Sequence, residues 1–150
     1  MSETTFTYQP QSRQPSLYAD ALKLKHGSRL NLIEQVQDGL PAEAFHDFAR
    51  AIGLSIDSLS EIVGVSVRTV QRRLEAGSPL DSTISERLVR LARLYSRVTD
   101  VLSDEDLARQ WMQTPREVFG GRTPLELART ELGAREVEDL LLRVEHGVFF

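Results

Sequence analysis

The sequence of this 150-residue chain predicts an all-α fold, and three observations lead to that prediction. Hydrophobic residues make up 41% of the chain, which is enough for a core. From Leu17 onward they recur at helical spacing, and no alternating β-branched run bounded by turns predicts a strand. Glycines and helix-capping residues fall between the periodic segments, as they do at helix boundaries.

The predicted organisation has three parts. Residues 1–16 are rich in Gln, Ser, Thr and Pro and predict a flexible arm. A helical bundle follows at 17–102, and a C-terminal domain at 103–150. Helix ends are predicted where a glycine can adopt the left-handed conformation. These glycines are Gly27, Gly39, Gly53, Gly64, Gly77, Gly133 and Gly147. The predicted helices are 17–25, 29–38, 42–52, 57–63, 67–76, 82–102, 104–112, 124–131 and 134–146.

Side chains that can cap a helix precede several of these segments. The predicted N-caps are Ser66, Asp81, Ser103 and Thr123, because their side-chain oxygens can accept a bond from a free N–H of the first turn. Thr123 also opens the sequence Thr-Pro-Leu-Glu, a capping box in which Glu126 can reach back to the cap residue.

The long segment 82–102 carries a regular apolar stripe whose spacing alternates between four and three residues. Such spacing places all members on one seam of a helix. The stripe is either part of the core of this chain or the seam of a homodimer, and the sequence leaves both open. Its members are Ile84, Leu88, Leu91, Tyr95, Val98 and Leu102.

The formal net charge of −4 is unevenly spread. Residues 66–97 carry seven Lys/Arg against three Asp/Glu, whereas residues 98–150 carry six against eleven. A basic middle next to acidic flanks indicates a local surface for an anion such as nucleic acid. The alternative is that the helix faces are simply rich in arginine.

Residues 57–76 contain two short predicted helices separated by the turn Gly64-Val65-Ser66. Ser60 is small at the point where the two helices must cross closely. The spacing is that of a helix-turn-helix, and the segment resembles the DNA-binding part of Xre-type transcriptional regulators. A bundle motif that binds no DNA is the alternative. The residues expected to pack the two helices are Leu59, Ile62, Val63, Val65, Val70 and Leu74.

If the motif binds DNA, its second helix lies in the major groove. There Arg pairs with guanine, Gln with adenine, and Thr with a phosphate or a thymine methyl group. A Ser or Thr at the start of the helix can also bind phosphate. Because one motif of this size binds weakly, DNA binding implies a dimer or a larger assembly. The predicted DNA-binding residues are Ser66, Arg68, Thr69, Gln71 and Arg72.

The last predicted helix, 134–146, has one apolar and one charged face. Its apolar face carries Val137, Leu140, Leu141 and Val144, whereas Leu142 falls outside this stripe. The helix either packs on the bundle with the terminal phenylalanines as a cap, or it forms a protein-binding edge, since apolar side chains beside charges mark interfaces.

Three sequence stretches in this region follow one another closely. They are Gly-Gly-Arg-Thr-Pro-Leu-Glu-Leu at 120–127, Gly-Ala-Arg-Glu-Val-Glu-Asp-Leu-Leu at 133–141 and Arg-Val-Glu-His-Gly-Val at 143–148. They resemble the signature of the toxin-binding domain in antitoxins of the MbcA, ParS and Xre group. With the upstream Xre-like segment, the resemblance covers residues 29–150.

The resemblance implies an antitoxin of a type II toxin–antitoxin system. Proteins of this group are all-helical, with an Xre-like helix-turn-helix bundle followed by a helical toxin-binding domain, and are usually dimeric. They neutralise a toxin encoded beside them, commonly a RES-domain protein related to ADP-ribosyltransferases that consumes NAD⁺, by obstructing its active site. Many also repress their own operon. The implied partners are thus a cognate RES-domain toxin, operator DNA and a second copy of the chain.

Two other readings of the sequence stay open. One is a simple helix-turn-helix repressor whose C-terminal half only dimerises, and the other is an interaction module without DNA binding. Under the antitoxin reading, an acidic C-terminal segment suits an NAD⁺-binding cleft that holds pyrophosphate with cations. The toxin-facing residues that the resemblance implies are Gly120, Gly121, Arg122, Thr123, Arg135, Glu138, Asp139, Arg143, Glu145, His146, Val148, Phe149 and Phe150.

Nothing in the sequence predicts an enzyme. There is no cysteine, and the three histidines show no metal-ligand spacing. Glu138 and Asp139 are adjacent in a helix and point about 100° apart, so they cannot share a proton as a catalytic pair. No apolar run approaches the ~20 residues of a membrane span. We therefore expect a cytoplasmic protein without cofactor, metal, membrane or small-molecule substrate.

Overall fold

A computed structural model describes residues 21–23 and 29–147. No strand occurs in these residues, and the only strand-like pairing among them is an isolated antiparallel bridge between Arg116 and Arg122. The predicted all-α fold is confirmed. The elements are α1 Arg29–Asp38, α2 Glu43–Ile52, α3 Ile56–Val63, α4 Val67–Ala76, α5 Ser82–Leu102, α6 Glu105–Met112, the 3₁₀ helix η1 Glu117–Phe119, α7 Pro124–Leu127 and α8 Glu131–Glu145.

The predicted arm 1–16 and most of the predicted helix 17–25 lie outside the described residues. Of that helix, residues 21–23 are described, and the chain turns at Leu22 and Lys23. Lys23 has a φ of 50°, so the helix does not continue through this point as predicted. Leu22 is buried in the core.

The helix boundaries follow local chemistry in most places. Gly39, Gly53, Gly64 and Gly77 all have positive φ at helix ends, as predicted. Ser103 is a correction, because it does not cap the helix that follows. It ends α5 with a φ of 56°, and Asp104 Oδ1 accepts the hydrogen bond from Leu107 N–H at 2.9 Å.

Helix α5 is the spine of the fold. It packs against α1, α2, α3, α6 and α8, so elements from both halves of the chain surround it. Five members of its apolar stripe are buried and Leu102 is half-buried. The stripe is therefore core, and the alternative of a homodimer seam along it is wrong, because neighbouring helices of the same chain already cover it.

The connection between α1 and α2 is tied to the start of α5 by two hydrogen bonds. Leu80 N–H donates to Leu40 O at 2.8 Å, and Leu40 N–H donates to Ser85 Oγ at 2.9 Å. Leu40 and Ser85 are both fully buried. Buried backbone groups need a partner, so these bonds let the two segments approach without an unsatisfied N–H.

The largest departure from the predicted helices lies near Gly133. The predicted helices 124–131 and 134–146 are observed as Pro124–Leu127 and Glu131–Glu145. Gly133 does not end a helix. It lies in the first turn of α8, where its N–H donates to Thr130 Oγ1 at 3.0 Å. A Cβ at position 133 would stand 1.8 Å from Leu127 O, so the close approach of α7 to α8 requires glycine.

Candidate functional site

Helices α3 and α4 are joined by the turn 64–66. α3 ends at Gly64, which is left-handed with a φ of 79°. α4 begins after Ser66, whose hydroxyl accepts a hydrogen bond from Thr69 N–H at 3.1 Å. The helix-turn-helix that the spacing predicts is therefore present, with α4 as its second helix. The buried residues of this pair are Leu59, Ser60, Val63 and Val70.

The solvent-facing side of α4 carries Arg68, Gln71 and Arg72, all of them exposed. Gln71 Nε2 donates to Glu75 Oε1 at 3.1 Å. Within the described part of the chain, Arg68 and Arg72 have neither a hydrogen bond nor an ion pair. Since residues four apart share a helix face, these two guanidinium groups present adjacent positive charges to solvent.

The other two predicted DNA-binding residues are less available. Thr69 is half-buried, and its hydroxyl lies 2.8 Å from Ser66 Oγ. Both hydroxyls therefore already take part in the cap of α4. Arg73 is half-buried, and its Nη1 donates to Pro79 O at 3.2 Å beyond the end of the helix. The charged outer face of α4 is thus narrower than its sequence suggests.

The first arginines of α5 bind their own chain. Arg87 Nη1 donates to Val63 O at 2.8 Å, at the turn of the helix-turn-helix. Arg90 Nε lies 3.1 Å from Glu131 Oε2, and Arg90 Nη1 donates to Arg129 O at 3.1 Å. These contacts join α5 to the α3–α4 unit on one side and to the start of α8 on the other.

The later arginines of α5 pair with the rest of α8. Arg93 Nε lies 3.9 Å from Glu138 Oε1, and Arg97 forms an ion pair with Glu145. The basic segment 66–97 therefore does not form one anion-binding surface as its charge count predicts. Most of its α5 arginines neutralise acidic residues of the C-terminal domain, because α5 and α8 pack together.

The Gly-Gly turn is a compact loop. Gly120 and Gly121 have φ of 66° and 82°, and Gly121 N–H donates to Arg116 O at 3.0 Å. The Arg116 guanidinium lies 4.4 Å from the centre of the Trp111 ring, a cation–π contact. Burial lowers the pKa of Arg116. Arg122 is exposed, and its Nε donates to Phe119 O at 3.3 Å.

The predicted capping box at the start of α7 is confirmed. Thr123 Oγ1 accepts from Glu126 N–H at 3.1 Å, and Thr123 N–H donates to Glu126 Oε2 at 3.0 Å. Thr123 is therefore engaged in local structure. Its main role is to start the short helix that abuts α8.

Helix α8 has a buried face and an outward face. Ala134, Val137 and Leu141 are buried against the rest of the chain. Val144 was predicted on this buried face, in line with Val137 and Leu141, but it is 37% exposed. Leu132, which the sequence did not single out, is 74% exposed, and the apolar periodicity gave no sign of it.

The predicted toxin-facing residues of α8 fall into two groups. Glu138 and Glu145 pair with α5, and Arg135 Nε lies 3.7 Å from Glu131 Oε1. Asp139 is exposed and makes no ion pair or hydrogen bond with any described residue. Arg143 and His146 are exposed as well. The remaining predicted contacts, Val148, Phe149 and Phe150, lie outside the described residues.

Four of the predicted toxin-facing residues, Arg135, Asp139, Arg143 and His146, follow the outward face of a 15-residue helix, which spans about 22 Å. Across residues 21–23 and 29–147, no group of three His, Cys, Asp or Glu side chains is placed to hold a metal ion. None of the helices in that part of the chain is both long and apolar enough to cross a membrane.

Comparison with known proteins assigns both halves of the chain. Residues 97–147 match the family described as the antitoxin Xre/MbcA/ParS C-terminal toxin-binding domain. Residues 32–93 match the antitoxin Xre-like helix-turn-helix domain. The two matches meet within α5, the helix that packs against both halves.

Individual relatives agree with this assignment. The chain is 30% identical over 123 residues to "Antitoxin Xre" of Photorhabdus laumondii, covering 81% of this chain and 82% of the relative. It is 22% identical over 135 residues to a "Prs ADP-ribosylating antitoxin" of Sphingobium sp. strain YBL2, covering 84% and 85%.

A solved structure shares the fold. A chain of the M. tuberculosis MbcT–MbcA toxin–antitoxin complex is 27% identical, with a TM-score of 0.57 over 73% of this chain and 96% of that chain. The protein described here belongs to the Xre antitoxin family. It is an antitoxin, and this role is not enzymatic, as the sequence predicted.

Proposed function

We propose that the antitoxin neutralises its toxin by placing the outward face of α8 against the toxin's active site. The observation that carries this proposal is a set of exposed apolar side chains on the helix. Leu132 and Leu142, which point away from the buried Val137 and Leu141, are 74% and 40% exposed, and charged residues surround them. Apolar groups left uncovered beside charges are typical of protein interfaces.

The charged residues of α8 also support its outward face as the toxin contact. Glu131, Glu138 and Glu145 are held by arginines of α5. Glu136 and Asp139 are exposed and have no ion pair with the described residues. These two carboxylates can therefore meet a cationic surface without breaking an existing pair, which favours rapid encounter with such a partner.

The proposed partner is a RES-domain toxin that consumes NAD⁺. A cleft that binds NAD⁺ needs cationic groups or helix N-termini for the pyrophosphate, and unpaired carboxylates suit its entrance. The Sphingobium relative carries ADP-ribosylation in its name, and that chemistry uses NAD⁺. The sequence resemblance to RES-associated antitoxins supports the same class.

The test is to induce the open reading frame beside the coding sequence of this chain and to measure intracellular NAD⁺. We expect NAD⁺ to fall when the neighbour is expressed alone and to recover when the antitoxin is co-expressed. The variant Leu142→Asp should lose the rescue, because it places a charge in the proposed apolar contact. The control Leu30→Asp makes the same change at a 69% exposed site on α1 and should rescue fully.

Each other outcome has a defined meaning. Growth arrest that the antitoxin relieves without any fall in NAD⁺ would reject the RES-type partner and keep the antitoxin role. Rescue by Leu142→Asp equal to that of the control would reject the outward face of α8 as the toxin contact. Circular dichroism and thermal melting of both variants show whether each is folded.

We also propose that the antitoxin represses its own operon through α4. Arg68 and Arg72 support this, since they are exposed, share one helix face and have no partner within the described residues. Gln71 lies beside them and can exchange its bond to Glu75 for one to an adenine edge. We expect Ser66 and Thr69 at the start of α4 to meet phosphate by exchanging the contact that their hydroxyls make with each other.

The DNA proposal is tested by electrophoretic mobility shift on the duplex upstream of the coding sequence. The double variant Arg68→Ala and Arg72→Ala should lose binding and still neutralise the toxin. The double variant Arg50→Ala and Arg135→Ala is the control, because it removes the same charge from side chains that are 73% and 69% exposed. Equal loss in both doubles would mean that only overall charge matters.

We propose that the DNA-binding form is a homodimer, because one α4 covers only one half-site. The apolar stripe of α5 is not available for this contact, since it is buried in the chain. Sedimentation velocity of the full chain tests the proposal, and a monomer that persists at the concentration where DNA is bound would contradict it.

A further inference from the structure

One partly exposed apolar side chain of α4 was not assigned to DNA by the sequence analysis. Val67 is the first residue of the helix, directly after the cap Ser66, and it is 38% exposed. It shares a row with Gln71, four residues later, and it precedes Arg68.

The local fold covers Val67 only in part. Val67 lies three residues before the buried Val70 and seven before the half-buried Leu74, so it stands at the start of their apolar stripe, on the edge next to Gln71. Ser66 caps the helix through Thr69 N–H and does not need a β-branched neighbour. Valine is also a poorer helix former than Ala, Glu or Lys. A valine at this point costs some helix propensity and leaves 38% of its surface accessible.

The major groove of DNA presents a group that the Val67 side chain can contact. In a helix-turn-helix, the N-terminal residues of the second helix contact base edges. At these edges, the C5-methyl of thymine is the apolar group, and apolar side chains recognise it by contact. An exposed branched side chain in the first turn of α4, in line with Gln71, is placed for such a contact.

We propose that Val67 is a specificity-determining residue that reads a thymine methyl group, beside the bases contacted by Arg68 and Gln71. This inference rests on the proposed DNA binding by α4 and adds to it a base preference. In each half-site, one A·T pair should be required for its methyl group in addition to its hydrogen-bonding edge.

The experiment starts from a pool of randomised duplexes of roughly 30 base pairs, enough for two half-sites. Full-length wild-type protein and Val67→Ala each select their preferred sequences. Each thymine of the wild-type consensus is then replaced singly by deoxyuridine, which lacks only the methyl group. Val118→Ala is the matched control, because it makes the same change at a 55% exposed valine of the C-terminal domain.

We expect one thymine in each half-site at which deoxyuridine weakens binding of the wild type by about four-fold, the effect of one buried methyl group. Val67→Ala should show no such loss at that position, and its selected consensus should no longer require thymine there. Val118→Ala should behave as the wild type. Val67→Thr, which keeps the branched shape and one methyl group, should retain part of the sensitivity.

Two results would overturn the inference, and they are distinguishable. If the wild type selects a consensus but Val67→Ala shows the same deoxyuridine sensitivity, Val67 does not read the methyl group and DNA binding by α4 stands. If the wild type selects no sequence from the pool, the proposed DNA binding fails and this inference fails with it.

Discussion

Replacing Gly133 with alanine separates two physical expectations that have opposite signs. Gly133 lies inside α8, where an exchange of glycine for alanine ordinarily stabilises a helix by about 1 kcal/mol. Here, however, the added Cβ would stand 1.8 Å from Leu127 O and 2.7 Å from Leu127 C. Both atoms belong to backbone, so a side-chain rotation cannot relieve the clash.

The expected magnitude follows from these two terms. Restoring an ordinary contact requires α7 and α8 to separate by more than 1 Å, roughly the gap between 1.8 Å and van der Waals contact. This movement disturbs the buried Leu125, Ala128 and Ala134 at the junction. Overpacking of this kind costs about 3 kcal/mol at the upper end of its usual range. After the gain in helix propensity, Gly133→Ala should destabilise the protein by about 2 kcal/mol.

Urea denaturation followed by circular dichroism measures this change. Gly77→Ala is the control, since Gly77 has a φ of 63° and nothing within 4 Å of an added Cβ. That control should lose only the cost of a left-handed alanine, about 1 kcal/mol. A Gly133→Ala protein as stable as the wild type, or more stable, would refute the inference that α7 presses on this glycine.

Three further predictions concern buried or half-buried polar groups, each measured as the free energy of unfolding in urea. Arg90→Met should cost about 2 kcal/mol, because a side chain that is only 15% exposed loses its bonds to Glu131 and to Arg129 O. The control Arg135→Met, at a side chain that is 69% exposed, should change the free energy of unfolding by less than about 0.5 kcal/mol. Equal effects of the two variants would contradict the inference that Arg90 joins α5 to the start of α8. Ser85→Ala should cost about 1–3 kcal/mol because it leaves Leu40 N–H buried without an acceptor, and an unchanged free energy would mean that another acceptor is present. Tyr95→Phe should be neutral or stabilising, because the buried Tyr95 hydroxyl lacks a hydrogen-bond partner among the described residues. Burial raises the pKa of Tyr95 above its ordinary value of 10.0, so the unfolded phenol releases its proton first, and wild-type stability should fall as the pH rises above 10. Tyr95→Phe should lack this component of the fall, and identical alkaline curves would disprove it.

The fold was predicted well wherever a boundary depends on neighbouring residues. The capping box at Thr123, the cap at Ser66 and the glycine end at Gly77 are satisfied within three or four residues, so their geometry is encoded locally. The prediction that Gly133 ends a helix was wrong, because its role does not depend on neighbouring residues. A glycine signals either a helix end or a close backbone approach, and only the position of α7 decides between the two.

In the candidate sites, too, the features set by neighbouring residues were predicted and those set by distant helices were not. The sequence located the helix-turn-helix and the toxin-binding segment, because their motifs are contiguous. It did not indicate that Glu138 and Glu145 are paired with α5 or that Val144 is exposed. These facts depend on which turn of α8 lies next to α5. The two helices are distant in sequence, since Arg90 of α5 and its partner Glu131 of α8 are 41 residues apart.

The sequence by itself determined an all-helical chain, most of its helix ends and the order of its two domains, since helical periodicity and caps act over a few residues. The tertiary structure alone decided which charges remain available. Arg68 and Arg72 stay exposed on α4, whereas the arginines of α5 form ion pairs with α8 or donate hydrogen bonds to backbone carbonyls. The physical reason is that an ion pair requires two charges within about 4 Å, and only the packing of distant helices sets that distance.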